Sequence, residues 1–404
     1  GHISCLGIAW CAEDAICLPF MCVERPEGYW PLEEEAEIVW LLSKILCHPK
    51  AEIVGQNFLY DMQYAFKHWH FIPGLARDTM ISQHSMFSTG QKGLDYLASL
   101  YCDDYEYWKD DGKLWDPSIP EDEHWEYNAK DCVLTYQVDD GQAKAIQAMT
   151  PSWPQLPEVV AFQQRLTSAV LRTMIRGVRF DEAKRAQFKI SLMQTMQEHQ
   201  NWINEVTGQD LNLRSAPQMQ DFFYQQLAMK PILKRTPQGV YRPTTDDDAL
   251  AKLAAREPIL RPLIERMRLM RSLGVFVGNF LSVTIGPDGR LRCQYKIAGT
   301  DTYRFASSED AFGFGTNLQN VPAGDEAEGL PNIRDLMLAD EGMTFFDIDL
   351  DSADLRVVTW ESGCTGMKEY FKAGLKPYVE IAKEFFRDPT ITKNHPSYKR
   401  MKAL

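Results

Sequence analysis

Apolar positions along the first 150 residues follow first a strand period and then a helix period. Residues 3–23 predict two strands separated by a turn at Ala12-Glu13-Asp14. The segment 33–47 predicts an amphipathic helix, because its apolar residues fall on one face: Ile38, Leu41, Leu42, Ile45 and Leu46. Glu52 to Gly55 then predicts a short strand.

Further helices follow this strand. One begins near Asn57, where asparagine is a favourable N-cap, and two more are predicted at Leu94–Tyr101 and Trp125–Met149. Strands that alternate with helices indicate an α/β domain.

The pattern changes after Thr150–Pro157, whose three prolines make it the best candidate for a domain boundary. Beyond it the pattern predicts a mainly helical stretch at Val159–Phe280, which a short strand at Gly177–Phe180 interrupts. From Leu291 apolar and polar residues alternate, as in a strand. A further strand is predicted at Phe345–Asp349 and a helix over Leu355–Trp360.

Composition and charge modify this picture at one point. The 404 residues are 45% hydrophobic and 25% charged, with no apolar run long enough to span a bilayer. The nine cysteines form no Cys-x-x-Cys pair, which is typical of reduced thiols in a cytosolic protein, and the eight histidines lack zinc spacing. The net charge of −13 is uneven, since residues 101–126 carry −8 and residues 256–304 carry +5. The basic stretch is either a solvated face or a strip that binds phosphates.

Two pairs of polar residues are spaced four apart on predicted helices, so that each pair shares a helix face. They are Asn57 with Asp61, and Tyr127 with Asp131. Taken alone, the first pair also fits a helix cap followed by a solvated aspartate. Carboxylates, however, are the ligands that hard divalent cations prefer.

The strings around these pairs are more specific. VGQNFLYD (54–61) and YNAKD (127–131) resemble the second and third motifs of the DnaQ-like 3′→5′ exonucleases, the proofreading domain of family A polymerases, and Asp78-Thr79 and GLDYL (93–97) also fit. The resemblance implies that Asp61 and Asp131 bind two Mg²⁺ or Mn²⁺ ions, that Tyr127 orients the attacking water, and that Asn57 supports the terminal nucleotide. It also implies that the family's first motif, Asp-x-Glu, precedes Gly1.

A second set of motifs lies in the C-terminal half. FFDIDLDSADLR (345–356) is a predicted strand that ends in acidic residues before a helix, which by itself is either an acidic loop or a metal-binding strand end. LNLRSAPQM (211–219) resembles the thumb signature of DNA polymerase I-type (family A) enzymes. TDTYRFASS (300–308) and NLQNVP (317–322) resemble their primer-template motif, and 345–356 resembles polymerase motif A.

This resemblance implies a role for individual residues. Asp349 is implied to bind the catalytic metals together with the backbone carbonyl of Leu350, and Asp354, followed by Arg356, to screen the sugar 2′ position. Contacts to DNA or nucleotide are implied for Arg304, Asn317 and Gln319. Lys402 is either the motif B lysine that meets the incoming triphosphate or the end of a basic surface helix.

Three positions depart from the family pattern. Tyr303 stands where glycine is usual, Asp351 where serine is usual, and Asp354 is one methylene shorter than the usual glutamate. These departures are typical of a divergent, phage-type polymerase.

The resemblance implies four parts: a ribonuclease H-like, DnaQ-like α/β exonuclease domain (1–150), a mainly helical thumb (151–285), a partial α+β palm (286–360) and the start of the fingers (361–404). The implied function is template-directed DNA synthesis with proofreading in replication, acting on primer-template DNA and deoxynucleoside triphosphates. We expect no membrane association, a cytoplasmic location in a bacterial or phage-infected cell, and replication accessory proteins as further partners.

Two alternatives stay open at this point. One is a stand-alone exonuclease whose C-terminal part only binds DNA, and the other is a non-catalytic DNA-binding remnant. Because the resemblance implies that motif C follows Leu404, we expect the 404-residue chain alone to show negligible turnover.

Overall fold

The computed structural model describes residues 2–103, 105–114, 120–236, 239–322, 324 and 330–403. It contains two compact units, Gly1–Asp340 and Glu341–Leu404. No helix among the described residues is both long enough and apolar enough to cross a bilayer.

The first unit combines short strands with long helices. Its strands are β1 (Cys5–Ala9), β2 (Ala15–Pro19), β3 (Ile53–Gly55), β4 (Leu75–Asp78), β5 (Val178–Phe180), β6 (Leu233–Arg235), β7 (Tyr241–Pro243), β8 (Arg290–Leu291), β9 (Gln294–Lys296), β10 (Ala306–Ser308) and β11 (Met337–Leu338). Its α-helices are α1 (Leu32–Leu46), α2 (Leu59–Trp69), α3 (Thr79–Met86), α4 (Leu94–Tyr101), α5 (Lys109–Leu114), α6 (Glu121–Met149), α7 (Leu156–Arg176), α8 (Glu182–Thr207), α9 (Ala216–Gln220), α10 (Asp247–Arg256) and α11 (Arg261–Phe276). Single turns of π-helix lie at Asp221–Gln226 and Val277–Leu281, and 3₁₀ turns lie at Pro258–Leu260, Leu318–Asn320 and Ile333–Leu336.

The strands form small separate sheets. β1 and β2 are an antiparallel pair in which Gly7 lies opposite Cys17, and β3 pairs in parallel with β4. β5 is the centre of a three-stranded antiparallel sheet between β11 and β8, while β9 pairs with β10 and β6 with β7. The predicted strands and helices of the first 150 residues are confirmed, and so is the mainly helical stretch that follows.

The predicted N-cap at Asn57 is wrong. Helix α2 begins at Leu59, with Phe58 at its cap, and Asn57 has a φ of +54° that is incompatible with a helix. The reason is a contact from a distant segment. The carboxylate of Asp78 accepts the backbone N–H groups of Asn57 (3.1 Å) and Phe58 (2.8 Å), so another element caps this turn.

Hydrophobic clusters hold these helices together. One cluster joins α2, α3 and α7 through Leu59, Met62, Ile81, Val170, Leu171, Met174 and Ile297. Another, between α4 and α6, contains Leu97, Trp108, Leu134 and Val138. A third packs α8, α10 and α11 around residues such as Ile203, Leu250 and Ile264. Because α7 packs on α2 and α3, the 157–176 segment shares a core with the helices before the proline-rich linker.

The second unit is helical where it is described. It contains α12 (Ala353–Glu361), α13 (Thr365–Lys372), α14 (Pro377–Phe386) and α15 (Pro396–Ala403). The helix predicted over 355–360 is confirmed, but the strand predicted at Phe345–Asp349 is wrong, since this segment is irregular and Ile348 is 86% exposed. A strand forms only by hydrogen bonding to a neighbouring strand, and the described part of this unit contains none.

Candidate functional site

Helices α2 and α6 bring Asp61 and Asp131 close to the same thiol. Cys132 follows Asp131 on α6. Burial raises the pKa of Cys132 to about 12, and the nearby charges of Asp131 and Asp61 act in the same direction. The two carboxylates predicted to act together therefore lie in one region of the first unit.

Asp61 reaches solvent but is surrounded by protein on most sides. The loss of hydration raises the pKa of its carboxyl to about 6, and the negative charge of Asp78 adds to this shift. A carboxylate close to another acid is stabilised electrostatically by a bound cation.

Asp131 and Tyr127 share one cationic partner, Lys109. Its ammonium group donates to both carboxylate oxygens of Asp131, at 2.8 and 2.9 Å, and to the hydroxyl of Tyr127 at 3.0 Å. The indole N–H of the buried Trp108 donates to Asp131 Oδ1 at 2.6 Å. These bonds hold both motif residues in place from one side.

Lys109 and Trp108 are functional candidates that the sequence patterns do not predict. Lys109 is one of only two basic residues between 101 and 126, in a stretch with ten acidic residues. A rare positive charge in an acidic stretch between the two exonuclease-like motifs is the sequence feature that could have indicated a partner for one of the carboxylates. Helix α5 also approaches closely, since a Cβ added to Gly112 would lie 2.5 Å from the Tyr127 ring.

Asp78 stabilises the turn that leads into α2. It is buried at 2% exposure, and besides Asn57 and Phe58 it accepts the N–H of Met80 at 2.9 Å, which caps α3. Burial raises the pKa of this carboxyl, while its backbone hydrogen bonds oppose the shift. Asp78 thus fixes the turn at Asn57 and the start of the helix that bears Asp61.

The oxygen atoms of these side chains are of the type that binds a hard divalent cation, although they are few. Asp61, Asp131 and Tyr127 supply oxygen donors of the kind that Mg²⁺ and Mn²⁺ prefer. Among the described residues, no three His, Cys, Asp or Glu side chains are grouped so as to hold a metal ion. The residues fit such an ion by donor type, and Lys109 contacts the oxygens of Asp131 that would bind it.

A second group of predicted residues lies in the loops after β9. Arg304 is exposed on the turn that Thr300 stabilises, since Thr300 Oγ1 donates to the Arg304 carbonyl at 2.7 Å. Asn317 Oδ1 accepts the N–H of Gln319 at 3.0 Å and the hydroxyl of Ser307 at 2.5 Å. Asn317 therefore caps the 3₁₀ turn at Leu318–Asn320, whereas Gln319 is exposed.

The remaining predicted residues belong to the second unit. Asp349 and Leu350 lie exposed in the irregular segment before α12, and Asp354 lies in the first turn of that helix. The guanidinium of Arg356 donates to the Asp351 carbonyl at 2.9 Å and lies 4.4 Å from the Phe371 ring centroid, so it stabilises this segment. The side chain of Lys402 lies outside the described residues.

The basic stretch at 256–304 is largely engaged within the protein. Arg268 binds both carboxylate oxygens of Asp247 at 2.7 Å, and Arg271 donates to the carbonyls of Leu213 and Thr245. Further ion pairs join Arg290 to Asp340 and Arg292 to Asp288. The net charge of +5 therefore overstates the number of cations that are available to phosphates.

Comparisons with known proteins match both halves of the chain. A family model described as 3′-5′ exonuclease matches residues 14–146, and one described as DNA polymerase family A matches residues 182–404. The chain is 25% identical over 224 residues to DNA polymerase I of Geobacillus stearothermophilus, covering 55% of this chain and 24% of that protein. It is 23% identical over 372 residues to DNA polymerase I of Chloroflexus aurantiacus, covering 87% of this chain and 37% of the relative.

A solved structure shares the fold at low identity. The POL domain of Pol1 from M. smegmatis, in complex with DNA primer-template and dNTP, has a TM-score of 0.70 and 20% identity, covering 92% of this chain and 60% of that one. The chain thus spans roughly a quarter to just over a third of the length of the curated relatives named above.

Proposed function

The chain belongs to DNA polymerase family A, whose model matches more than half of it, and we propose that it carries parts of two active sites, one for template-directed DNA synthesis and one for 3′→5′ proofreading. The observation that carries the proposal is the distribution of its carboxylates along the sequence between two matched segments. Asp61 and Asp131 lie together within the exonuclease match, whereas Asp349 lies within the polymerase match.

In the exonuclease site, Asp61 and Asp131 would hold divalent ions, two in the complete site. Such ions supply Lewis acidity and an activated water for phosphodiester hydrolysis. The hydroxyl of Tyr127, held at 3.0 Å by Lys109, orients that water, and Trp108 fixes the carboxylate of Asp131. Asn57 supports the terminal nucleotide through the turn that Asp78 stabilises.

In the polymerase site, Asp349 and the carbonyl of Leu350 bind Mg²⁺, and Asp354 faces the sugar of the incoming nucleotide. Arg304 and Gln319 contact the primer-template DNA, while Asn317 shapes the loop from which they project. Lys402 meets the triphosphate. Residues 151–285 form the thumb, 286–360 part of the palm and 361–404 the start of the fingers.

Two observations weigh against a stand-alone exonuclease. The polymerase family model covers residues 182–404, a stretch that hydrolysis does not need. In addition, the 300–304 loop, which belongs to the polymerase-like motif, accepts a hydrogen bond from His84 on α3. Helix α3 belongs to the exonuclease-like part and is capped by Asp78. The two motifs are therefore in direct contact.

Separate inactivation of the two sites tests this function. In the protein expressed from its natural gene, Asp61→Asn should abolish degradation of a 3′ end and leave extension within about twofold of the wild-type rate, because it removes a metal-binding charge from one site only. Asp349→Asn should do the reverse.

The controls are exposed acids that lie outside both groups of residues. Asp140→Asn on α6 and Glu361→Gln at the end of α12 should leave both activities unchanged. If either active-site variant removed both activities while its thermal unfolding stayed normal, two separate sites would be the wrong description.

A further inference from the structure

Tyr303 ties the loop that carries Arg304 to a helix of the exonuclease-like part. Its hydroxyl lies 3.2 Å from the carbonyl oxygen of His84 and 3.1 Å from that of Ser85. Both carbonyls belong to the last turn of α3. Tyr303 makes these contacts with a φ of +61°, a conformation that L residues rarely adopt and that glycine adopts easily. The hydroxyl contacts are what a glycine could not supply.

His84 makes the same connection from the other side. Its ring is fully buried, lies 4.5 Å from the Tyr303 ring by their centroids, and places Nε2 2.8 Å from the carbonyl oxygen of Thr300. Because a carbonyl only accepts, Nε2 is the protonated nitrogen. The same carbonyl accepts the N–H of Tyr303, and the Thr300 hydroxyl donates to the carbonyl of Arg304. The turn is therefore stabilised by hydrogen bonds within residues 300–304 and by a hydrogen bond from α3.

The opposite end of α3 is bonded to the helix that bears Asp61. Asp78 caps α3 and binds the backbone of Asn57 and Phe58 just before α2. Every side chain from Thr79 to Met86 except Met80 is buried. Two neighbouring helices also bind the start of α3. The side-chain amide of Gln142 on α6 donates to the Thr79 carbonyl, and that of Gln164 on α7 donates to the Asp78 carbonyl. These hydrogen bonds, made among buried groups, restrain α3 relative to α2, α6 and α7.

We propose that Tyr303 and His84 are positioning residues, which fix residues 300–304 to α3 so that Arg304 is held in a constant relation to the Asp61 helix. The proposal rests on the proposed function, because it assigns Arg304 to the primer end. It accounts for tyrosine at a position where the family usually has glycine. The contact links the loop that would sense a correctly paired primer end to the site that would remove a mispaired one.

Amide hydrogen exchange of the 404-residue chain tests the mechanical part without DNA. Tyr303→Phe removes only the hydroxyl, so exchange of residues 300–304 and of the last turn of α3 should accelerate roughly 3- to 10-fold, the range expected for one lost hydrogen bond. The matched control is Tyr136→Phe, which removes a hydroxyl from an exposed tyrosine on α6 and should change neither segment. Unchanged exchange in Tyr303→Phe would overturn the proposal, whatever the DNA-binding results.

Primer-end binding tests whether the contact acts through Arg304. The dissociation constants of the chain for primer-template DNA with a matched and with a mismatched 3′ end are compared by fluorescence anisotropy. Tyr303→Phe should reduce the matched-to-mismatched preference severalfold, Arg304→Ala should abolish it, and the double variant should equal Arg304→Ala. A double variant with a further, additive loss would show that Tyr303 acts independently of Arg304 and would overturn its positioning role.

The conservative change at His84 separates positioning from packing. His84→Gln keeps a side-chain N–H donor for the Thr300 carbonyl and should preserve the preference, whereas His84→Ala should lose it to the same extent as Tyr303→Phe. Equal loss in both His84 variants would contradict the assigned contact. The proposed function stands or falls separately, on the Asp61 and Asp349 variants.

Discussion

The ammonium nitrogen of Lys109 lies 2.8 Å from Oδ1 and 2.9 Å from Oδ2 of Asp131, so one cationic side chain engages both oxygens that would bind a metal ion. An ammonium and a divalent cation repel each other strongly at contact distance in a partly buried site. The side chains of Lys109 and Asp131 are 20% and 27% exposed, so solvent screens this pair only in part. If Asp131 binds a divalent ion, as proposed above, Lys109 competes with that ion for the carboxylate.

The first prediction follows from this competition. Lys109→Met keeps much of the aliphatic stem but removes the charge, so the affinity of the 404-residue chain for Mn²⁺ should rise by about tenfold, equivalent to roughly 1.4 kcal/mol. Isothermal titration calorimetry, or electron paramagnetic resonance of free Mn²⁺, measures this directly. Lys130→Met, at an exposed position on α6, is the control. Weaker Mn²⁺ binding by Lys109→Met would mean instead that Lys109 holds Asp131 in its metal-binding position.

The second prediction concerns pH and the buried ring of His84. Burial lowers its pKa, and Lys92 acts in the same direction, while the bond to Thr300 and the charge of Asp301 oppose the shift. Since the folded-state pKa lies below the ordinary value of about 6.5, the unfolded chain binds the proton more readily. The stability that His84 contributes is therefore complete above pH 6.5 and is lost as the pH falls through 6.5 toward the lower folded value.

Urea unfolding between pH 7.5 and 5 measures this contribution. The free energy of unfolding of wild type should fall more steeply than that of His84→Gln, by at most about 1.4 kcal/mol per pH unit, which corresponds to one proton. His48→Gln, at an exposed position, should follow the wild-type slope. Parallel curves for wild type and His84→Gln would show that His84 binds its proton equally well in the folded and unfolded chain.

The sequence predicted those features that depend on local pattern. The strand pair β1–β2 and the helices α1, α4 and α6 follow from the spacing of apolar residues, because that spacing is a property of each segment alone. The positions of Asp61 on α2 and of Asp131 on α6 follow from the same spacing.

Features that depend on distant contacts were not predictable in this way. The turn at Asn57 is determined by Asp78, twenty-one residues later, so local propensity favoured the wrong cap. The segment 345–350 has strand-like residues but finds no pairing strand in the described part of its unit. Lys109 contacts Asp131 because α5 packs beside α6, which no residue spacing encodes.

A third prediction uses the close approach of β1 to α6. Gly7 faces the helix so tightly that an added Cβ would lie 2.3 Å from Asn128 Oδ1 and 2.6 Å from Cys132 Sγ. Gly7→Ala must therefore shift the strand or the helix, which should destabilise the chain by about 1–3 kcal/mol. Because Asn128 and Cys132 flank Asp131, the shift should also weaken Mn²⁺ binding.

The matched control is Gly278→Ala. A Cβ at Gly278 would meet nothing within 4 Å, and this position has no positive φ. Gly278→Ala should leave stability within about 0.5 kcal/mol of wild type, as is usual for a substitution without clashes. A Gly7→Ala variant with wild-type melting and wild-type Mn²⁺ affinity would show that the strand and helix separate freely at this point.

The last prediction concerns selection of the sugar by Asp354. Its carboxylate is exposed in the first turn of α12, five residues after Asp349. The resemblance of residues 345–356 to motif A aligns it with the family's glutamate that screens the sugar 2′ position. A side chain that fills this space leaves a 2′-hydroxyl in a steric clash or without a hydrogen-bond partner, and pocket changes of this size alter discrimination by roughly 1–3 kcal/mol. An acid in the first turn also stabilises the helix through its dipole, a role that predicts a change in stability but none in sugar selection.

Two substitutions separate these roles in the protein expressed from its natural gene. Asp354→Ala should raise the incorporation of ribonucleotides relative to deoxynucleotides by about 5- to 150-fold, the factor that corresponds to 1–3 kcal/mol. Asp354→Glu should lower that ratio or leave it unchanged, because the longer side chain fills the same space, and Glu361→Gln at the far end of α12 should have no effect. The measurement is steady-state incorporation of a matched dNTP and rNTP opposite the same template base. An Asp354→Ala enzyme that keeps the wild-type ratio and only melts at a lower temperature would assign Asp354 to the helix dipole and would require a different alignment of residues 349–356 with motif A.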